Sequence, residues 1–429
     1  MVIGGRLSGM NRWVCVGLLV WGMGCAGLAA QDGLKAGSDP CDQAARRSAA
    51  AVLEAQKGLV GQPVEDLVTQ VPPALRTQIA GFKDTLVAAT DAVMHCEPAN
   101  ATAEQLQKDL VGQFHANQLH PNPPKPSADD PVRYGADLQV EVSAPAEEPA
   151  LRIVEIGFDI ECGDDTVLLV YEPVRRNSQV ISASGVHLDS GTPIGLVRML
   201  RWLAVPYEEI SGAFGGFFEY VVLPAQEGKP WRLAVAHGEP WCTSRWSGYK
   251  IDLIEPEAGT ARVVWHYQQG YVRENGPRLI ARQNGFELRL DVGTIESEQM
   301  VRKGVFRYVV DGDTVRRVGP IAVDGRGFVD EWLQLPWSEA KQWSVPEGLE
   351  GFEKAHEAFA RGHKDASVTY SYGPVRACLM KGQYEVEIDA EPGGKQFYDI
   401  REGTNGYTLV NFGTTQDERC SGADLMKKK

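Results

Sequence analysis

From Tyr249 to Val318 apolar side chains recur at every second position, and no other feature of the sequence restricts the fold as tightly. Phe286, Leu288, Leu290 and Val292 alternate with Glu287, Arg289 and Asp291, the period of a strand with one face in a core and the other in water. Asn284-Gly285 precedes that run and supplies two residues that tolerate positive φ, as a two-residue hairpin turn requires. Asp311-Gly312 plays the same part between Val305–Val310 and Thr314–Val318. The segments Tyr249–Leu253 and Ala261–Trp265 pair across a turn from Pro256 to Gly259. A ladder of antiparallel hairpins follows.

The same period begins near Leu151. Ile156, Phe158, Ile160 and Cys162 fall on one face, with Glu155, Asp159 and Glu161 expected in water. Gly163-Asp164-Asp165 turns the chain into Val167–Tyr171, and strands recur at Phe217–Leu223 and Trp231–Ala236, with a short helix expected over Gly195–Leu203. Short antiparallel strands with tight turns specify either a propeller-like ring of blades or a sandwich.

The flanks have a different period. Asp39-Pro40 opens an alanine-rich helix, a short helix is expected over Val64–Val71, and Leu75, Ile79, Phe82, Leu86, Val87 and Val93 form one helical stripe. Thr102-Ala-Glu-Gln105 is a capping box for a last helix. The run His120–Pro126 cannot continue a helix and reads as a stiff linker. Near the other end, Leu349, Phe352, His356 and Phe359 share a helical face, and four strands follow, with Asn405-Gly406 as one turn. The chain therefore reads as mainly β with an all-α N-terminal unit: a helical bundle over 39–119, a Pro-rich linker over 120–150, an antiparallel hairpin-built β domain over 151–335, a small α+β unit over 336–423, and a basic tail over 424–429.

Arg6 and Arg12 precede an apolar run that ends in Gly27, Ala29 and Ala30, the order of a secretory signal peptide over residues 1–30. Removing it takes away two arginines and no acid, so the formal charge moves from −14 to −16, without the basic footprint that nucleic acid requires. No membrane span is expected after cleavage, and the mature protein is placed outside the cell or in the periplasm. Of eight cysteines, Cys15 and Cys25 leave with the signal. Nearest-neighbour pairing of the rest gives Cys41 with Cys96, Cys162 with Cys242, and Cys378 with Cys420, each closing a loop worth about 3–5 kcal/mol in the chain-entropy model. There is no C-x2-C spacing, so neither a zinc site nor another metal or cofactor is expected.

Reactive residue types crowd into one inter-strand connection, His237–Trp246. There His237 is the candidate acid/base or ligand contact, Glu239 its partner, Thr243 and Ser244 hydrogen-bonders, and Arg245 an anion clamp. The competing description is a disulfide-tied loop whose aromatic residues pack and whose hydroxyls satisfy turn amides. Complete catalytic motifs are lacking: Ser338-Glu-Ala-Lys341 has no companion elements, and His356-Glu357 is followed by Ala360 where a second zinc ligand belongs. Asp330 and Glu331, near an expected helix start, point about 100° apart and cannot flank one bond. The leading expectation is an exported non-catalytic binding or scaffold protein for a small molecule, glycan or protein of unknown identity. The alternative is a secreted or envelope hydrolase built on the 237–245 loop, helped by Asp313 or Asp324.

Overall fold

The computed structural model describes residues 39–61, 71–118, 134–160, 163–174, 195–204, 217–226, 228–239, 246–272, 277–296 and 301–427. Three helices lead: α1 (Pro40–Val60), α2 (Pro73–Cys96) and α3 (Ala103–Phe114). Thr102 caps α3 by accepting the Gln105 backbone N–H at 3.2 Å. A disulfide joins Cys41 to Cys96, fastening the start of α1 to the end of α2. The expected helix over Val64–Val71 falls almost wholly outside the described residues.

The first sheet has the order β1 (Asn117–Gln118), β2 (Gln139–Ser143), β3 (Arg152–Ile160), β4 (Gly163–Pro173), β5 (Leu196–Leu203), antiparallel except for the β1–β2 contact. It is buried on both sides. Val154, Ile156, Phe158, Val167 and Leu169 share one core with the helices, where the Phe82 and Phe158 rings meet edge to face at 5.1 Å. Ile153, Leu168, Val170, Leu200 and Trp202 point the other way. Within the helix-side core Lys83 is fully buried against the Asp165 carboxylate; burial pulls the lysine downward while the carboxylate opposes it. Two expectations are corrected here. The stretch assigned to a linker up to residue 150 contains β2, because Val140 and Val142 alternate into the core. Leu196–Leu203 is a strand rather than a helix, with a register shift where Val170 pairs with Leu200 and Tyr171 with Arg198.

The second sheet runs β13 (Thr314–Arg317), β12 (Val301–Asp311), β11 (Gly285–Gly293), β9 (Thr260–Val272), β8 (Trp246–Glu257), β7 (Arg232–Glu239), β6 (Phe218–Leu223), with β10 (Arg278–Arg282) also paired to β11. One face places Val222, Leu233, Val235 and Ile254 on the first sheet, so two sheets stack. Its opposite face curls around a separate core of Ala234, Ile251, Leu253, Phe286, Leu288 and Phe306. The curl brings β10 back to β6, where Arg278 and Glu219 pair at 3.2 Å. The turns sit one place away from the expected dipeptides: Arg282 pairs with Gly285 and Asp311 with Thr314, which leaves Gln283-Asn284 and Gly312-Asp313 as central residues. Between β8 and β9 the central residues are Ala258 and Gly259, both at positive φ (51° and 80°).

The remaining chain forms α4 (Gly325–Gln334), α5 (Trp337–Ala340), α6 (Leu349–Gly362) and the third sheet, β14 (Thr369–Ala377), β15 (Gln383–Glu391), β16 (Gly394–Gly403), β17 (Gly406–Gly413), in that order. Phe352 and Phe359 of α6 share a core with Val386, Ile388, Tyr398 and Ile400. Asp324 caps α4 by accepting the Gly327 N–H at 2.8 Å. Asp330 and Glu331 therefore lie well inside this helix instead of at its start, and both are buried. Asp330 accepts from Arg302 Nε (2.7 Å), Gln334 Nε2 (2.7 Å), the Ile295 N–H (2.8 Å) and the Tyr372 hydroxyl. Glu331 accepts the N–H groups of Ile321 and Ala322. A second disulfide joins Cys378 to Cys420. Among the described residues no helix is long and apolar enough to cross a membrane.

Candidate functional site

Strand alternation decides where the first candidate side chain goes. Leu233 and Val235 face the first sheet, and His237 continues their row two positions on. His237 is 5% exposed and lies opposite Phe218 across β6 and β7. Its ring meets Trp202 edge to face at 5.2 Å, and Trp202 is 5.6 Å from Phe218. The imidazole thus fills the seam between the two sheets. Burial, with Lys250, His266 and Lys83 adding like charge, pushes it down to about 3. It is neutral at physiological pH, without the imidazolium proton a general acid would donate and with little basicity.

The other members of this constellation are not brought into view. Glu239 pairs through its backbone with Gly248, but its side chain lies outside the described residues, as do Thr243, Ser244 and Arg245. Cys162 and Cys242 lie outside them too. Asp313, expected as a distant carboxylate for His237, is engaged at the far end of β7. It receives Lys229 Nζ at 3.1 Å and the Arg232 guanidinium, and Arg232 precedes His237 by five residues, roughly 17 Å of strand. Asp324 is occupied by its helix cap.

A different pair emerges on the outer face of the second sheet. His266 Nδ1 lies 2.7 Å from Asp252 Oδ1, with His266 about half exposed. A carboxylate on Nδ1 orients a histidine and leaves Nε2 for a partner. The sequence hides this pairing, because the hairpin register shifts by one between Leu253 and Ile254. Without the bulge, counting back from Ala258-Gly259 puts Asp252 opposite Trp265.

The concave face of the same sheet is aromatic. Trp265 and Tyr267 have parallel rings 6.0 Å apart, and both lie beside Tyr308, at 5.4 and 6.1 Å. Tyr267 donates to Gln269 Oε1 at 2.6 Å, and Arg317 is paired with Glu339 nearby. Trp265 and Tyr267 remain partly exposed. The hollow lined by Gln226, Lys229, Arg232 and Asn284 is water-sized and too small for a metabolite. Neither a family model, nor a curated protein, nor a solved structure matches this chain.

Proposed function

We propose that this is an exported, non-catalytic binding or scaffold protein. The observation that carries the reading is the state of His237: a neutral, buried imidazole set across the strands from Phe218 and against the Trp202 ring acts as a packing group. Export is supported by the leader-like first thirty residues and by two disulfides, which persist in oxidising compartments. Binding is supported by the partly exposed Trp265 and Tyr267, whose rings offer broad contact area at little entropic cost beside Gln269. Contacts from Glu239, Thr243, Ser244 and Arg245 belong to the same proposal and rest on the sequence alone.

The hydrolase reading draws support from one observation, the half-exposed His266–Asp252 pair, which has the geometry of a base and its orienter. Assaying the full chain on chromogenic ester, peptide and glycoside substrates separates the two. Absence of turnover, or turnover equal in wild type and in His266→Ala and His237→Ala/Glu239→Ala variants, agrees with a binding protein. Turnover that disappears in either folded variant overturns it.

A further inference from the structure

The third sheet carries a pair of acids with little counter-charge: the Arg376 guanidinium stands 3.8 Å from Glu385 and is shared with Glu387 at 3.0 Å. Glu385 on β15 and Asp399 on β16 are direct cross-strand partners, an arrangement that is unfavourable for like charges even at a surface. Both are buried, Glu385 at 0% and Asp399 at 8% exposure. Their neighbours Val386 and Tyr398 point into the core under α6, so the two carboxylates occupy the opposite face. That face is covered by the chain after β17, which returns through Asp417 to Cys420 and is bonded there to Cys378.

Other acids of this face have their own cations. Glu387 receives Lys395 at 2.6 Å and Arg376 at 3.0 Å, and Asp417 receives Arg419 at 2.6 Å. Glu385 Oε2 accepts the Asp417 N–H at 2.7 Å, and Asp399 Oδ2 accepts the Asn411 amide at 2.9 Å. Glu385 Oε1 accepts no hydrogen bond, and the Arg376 guanidinium, committed to Glu387, stands 3.8 Å away. A fully buried carboxylate oxygen with no donor is costly unless something else occupies its lone pairs. The ligand atoms of Glu385, Asp399 and Cys420 all lie within 4.8 Å of one another.

We propose that Glu385 and Asp399 bind a calcium ion. The donor set selects the metal. Cys420 is held in a disulfide and offers no thiolate, which leaves hard carboxylate oxygens and disfavours zinc. Calcium accepts irregular sets of oxygens at about 2.3–2.6 Å, whereas magnesium at about 2.0–2.1 Å demands near-ideal octahedral geometry and keeps several waters. The sequence gives no loop motif for such a site, because its two ligands come from neighbouring strands and are brought together only by register. The rival occupant is a proton shared by the two carboxyl groups.

The full chain, freed of metal by a chelator, is to be dialysed against radioactive calcium at about 2 mM, above the usual range for extracellular modules, and melted with and without it. The expected result is one bound ion removed by Glu385→Gln/Asp399→Asn, with a rise in Tm of roughly 3 °C or more that magnesium does not reproduce. Glu418→Gln, at an exposed acid nearby, should leave both readouts intact and so exclude diffuse binding to an acidic surface. No bound ion and no shift in the wild type would assign the place to a proton and end the proposal. An equal shift in the double variant would end it too. Should the double variant fail to fold, Glu385→Gln and Asp399→Asn are tested singly: loss of the ion in either folded variant supports the site, and retention in both ends the proposal.

Discussion

Two pairs of buried carboxylates, both in the C-terminal part of the chain, have opposite surroundings. Asp330 and Glu331 are sequence neighbours whose side chains diverge, and each meets convergent donors: an arginine, an amide, a hydroxyl and a backbone N–H for Asp330, two backbone N–H groups for Glu331. Glu385 and Asp399 are fourteen positions apart, face each other across two strands, and share a single N–H and a single amide. Burial alone therefore does not distinguish a structural acid from one awaiting a ligand. The donor inventory does.

Replacing Asp330 by alanine should show the largest effect. It strands Arg302 in a dry site and unties α4 from the second sheet and from Tyr372, so a loss of about 3–5 kcal/mol is expected in urea denaturation. A loss below about 1 kcal/mol would break the contrast. Glu331→Ala comes next, at about 2–4 kcal/mol, since it leaves the Ile321 and Ala322 N–H groups unsatisfied. For Glu385→Gln in chelator the expectation reverses: relief of a like-charge cross-strand pair gives a change between zero and about 1 kcal/mol of stabilisation. A large destabilisation there would class Glu385 with Asp330.

The most diagnostic effect is a pH slope. Glu155 on β3 is pushed from its ordinary 4.5 up to about 8 by burial and by the nearby carboxylates of Glu141 and Glu219. The folded protein holds that proton in a range where the unfolded chain has released it. Its contribution is therefore most favourable below pH 4.5 and is lost progressively as pH rises toward about 8. Denaturation midpoints measured across that window should fall more steeply with pH in the wild type than in Glu155→Gln, and parallel slopes would refute the assignment.

Glu155 also shows where sequence reading stops. Alternation correctly places Ile156, Phe158 and Ile160 in a core, and it assigns the intervening residues to water by default. Stacking of a second sheet on that side is a long-range event with no local signature, so Ile153 and Leu168 are buried there and Glu155 is caught beside them. Local chemistry was readable: Thr102 caps its helix, Leu349–Phe359 shows its stripe, and the pairs Cys41–Cys96 and Cys378–Cys420 join nearest neighbours. The misreading of Leu196–Leu203 has a specific cause. The register shift opposite Val170 and Tyr171 breaks alternation, sending Leu196 into the helix-side core and Leu200 into the core between the two sheets. His237 was legible as unusual, but its enclosure by Trp202, from a strand thirty-five positions earlier, was not. For Asp330 and Glu331 the sequence places acids near a helix start, whereas the cap at Asp324 sets that start six residues upstream.

The stacking of helices, first sheet and second sheet gives the protein a sealed middle layer. Because β3 and β4 press apolar rows outward in both directions, nothing arriving from solvent can lie flat on them, and a change there in either row disturbs one of two adjoining interiors. Encounters with other molecules are left to the exterior of the helices, the curled sheet and the C-terminal unit. Variation that alters what this protein recognises should collect in those outer layers, while the strands between them stay nearly mute.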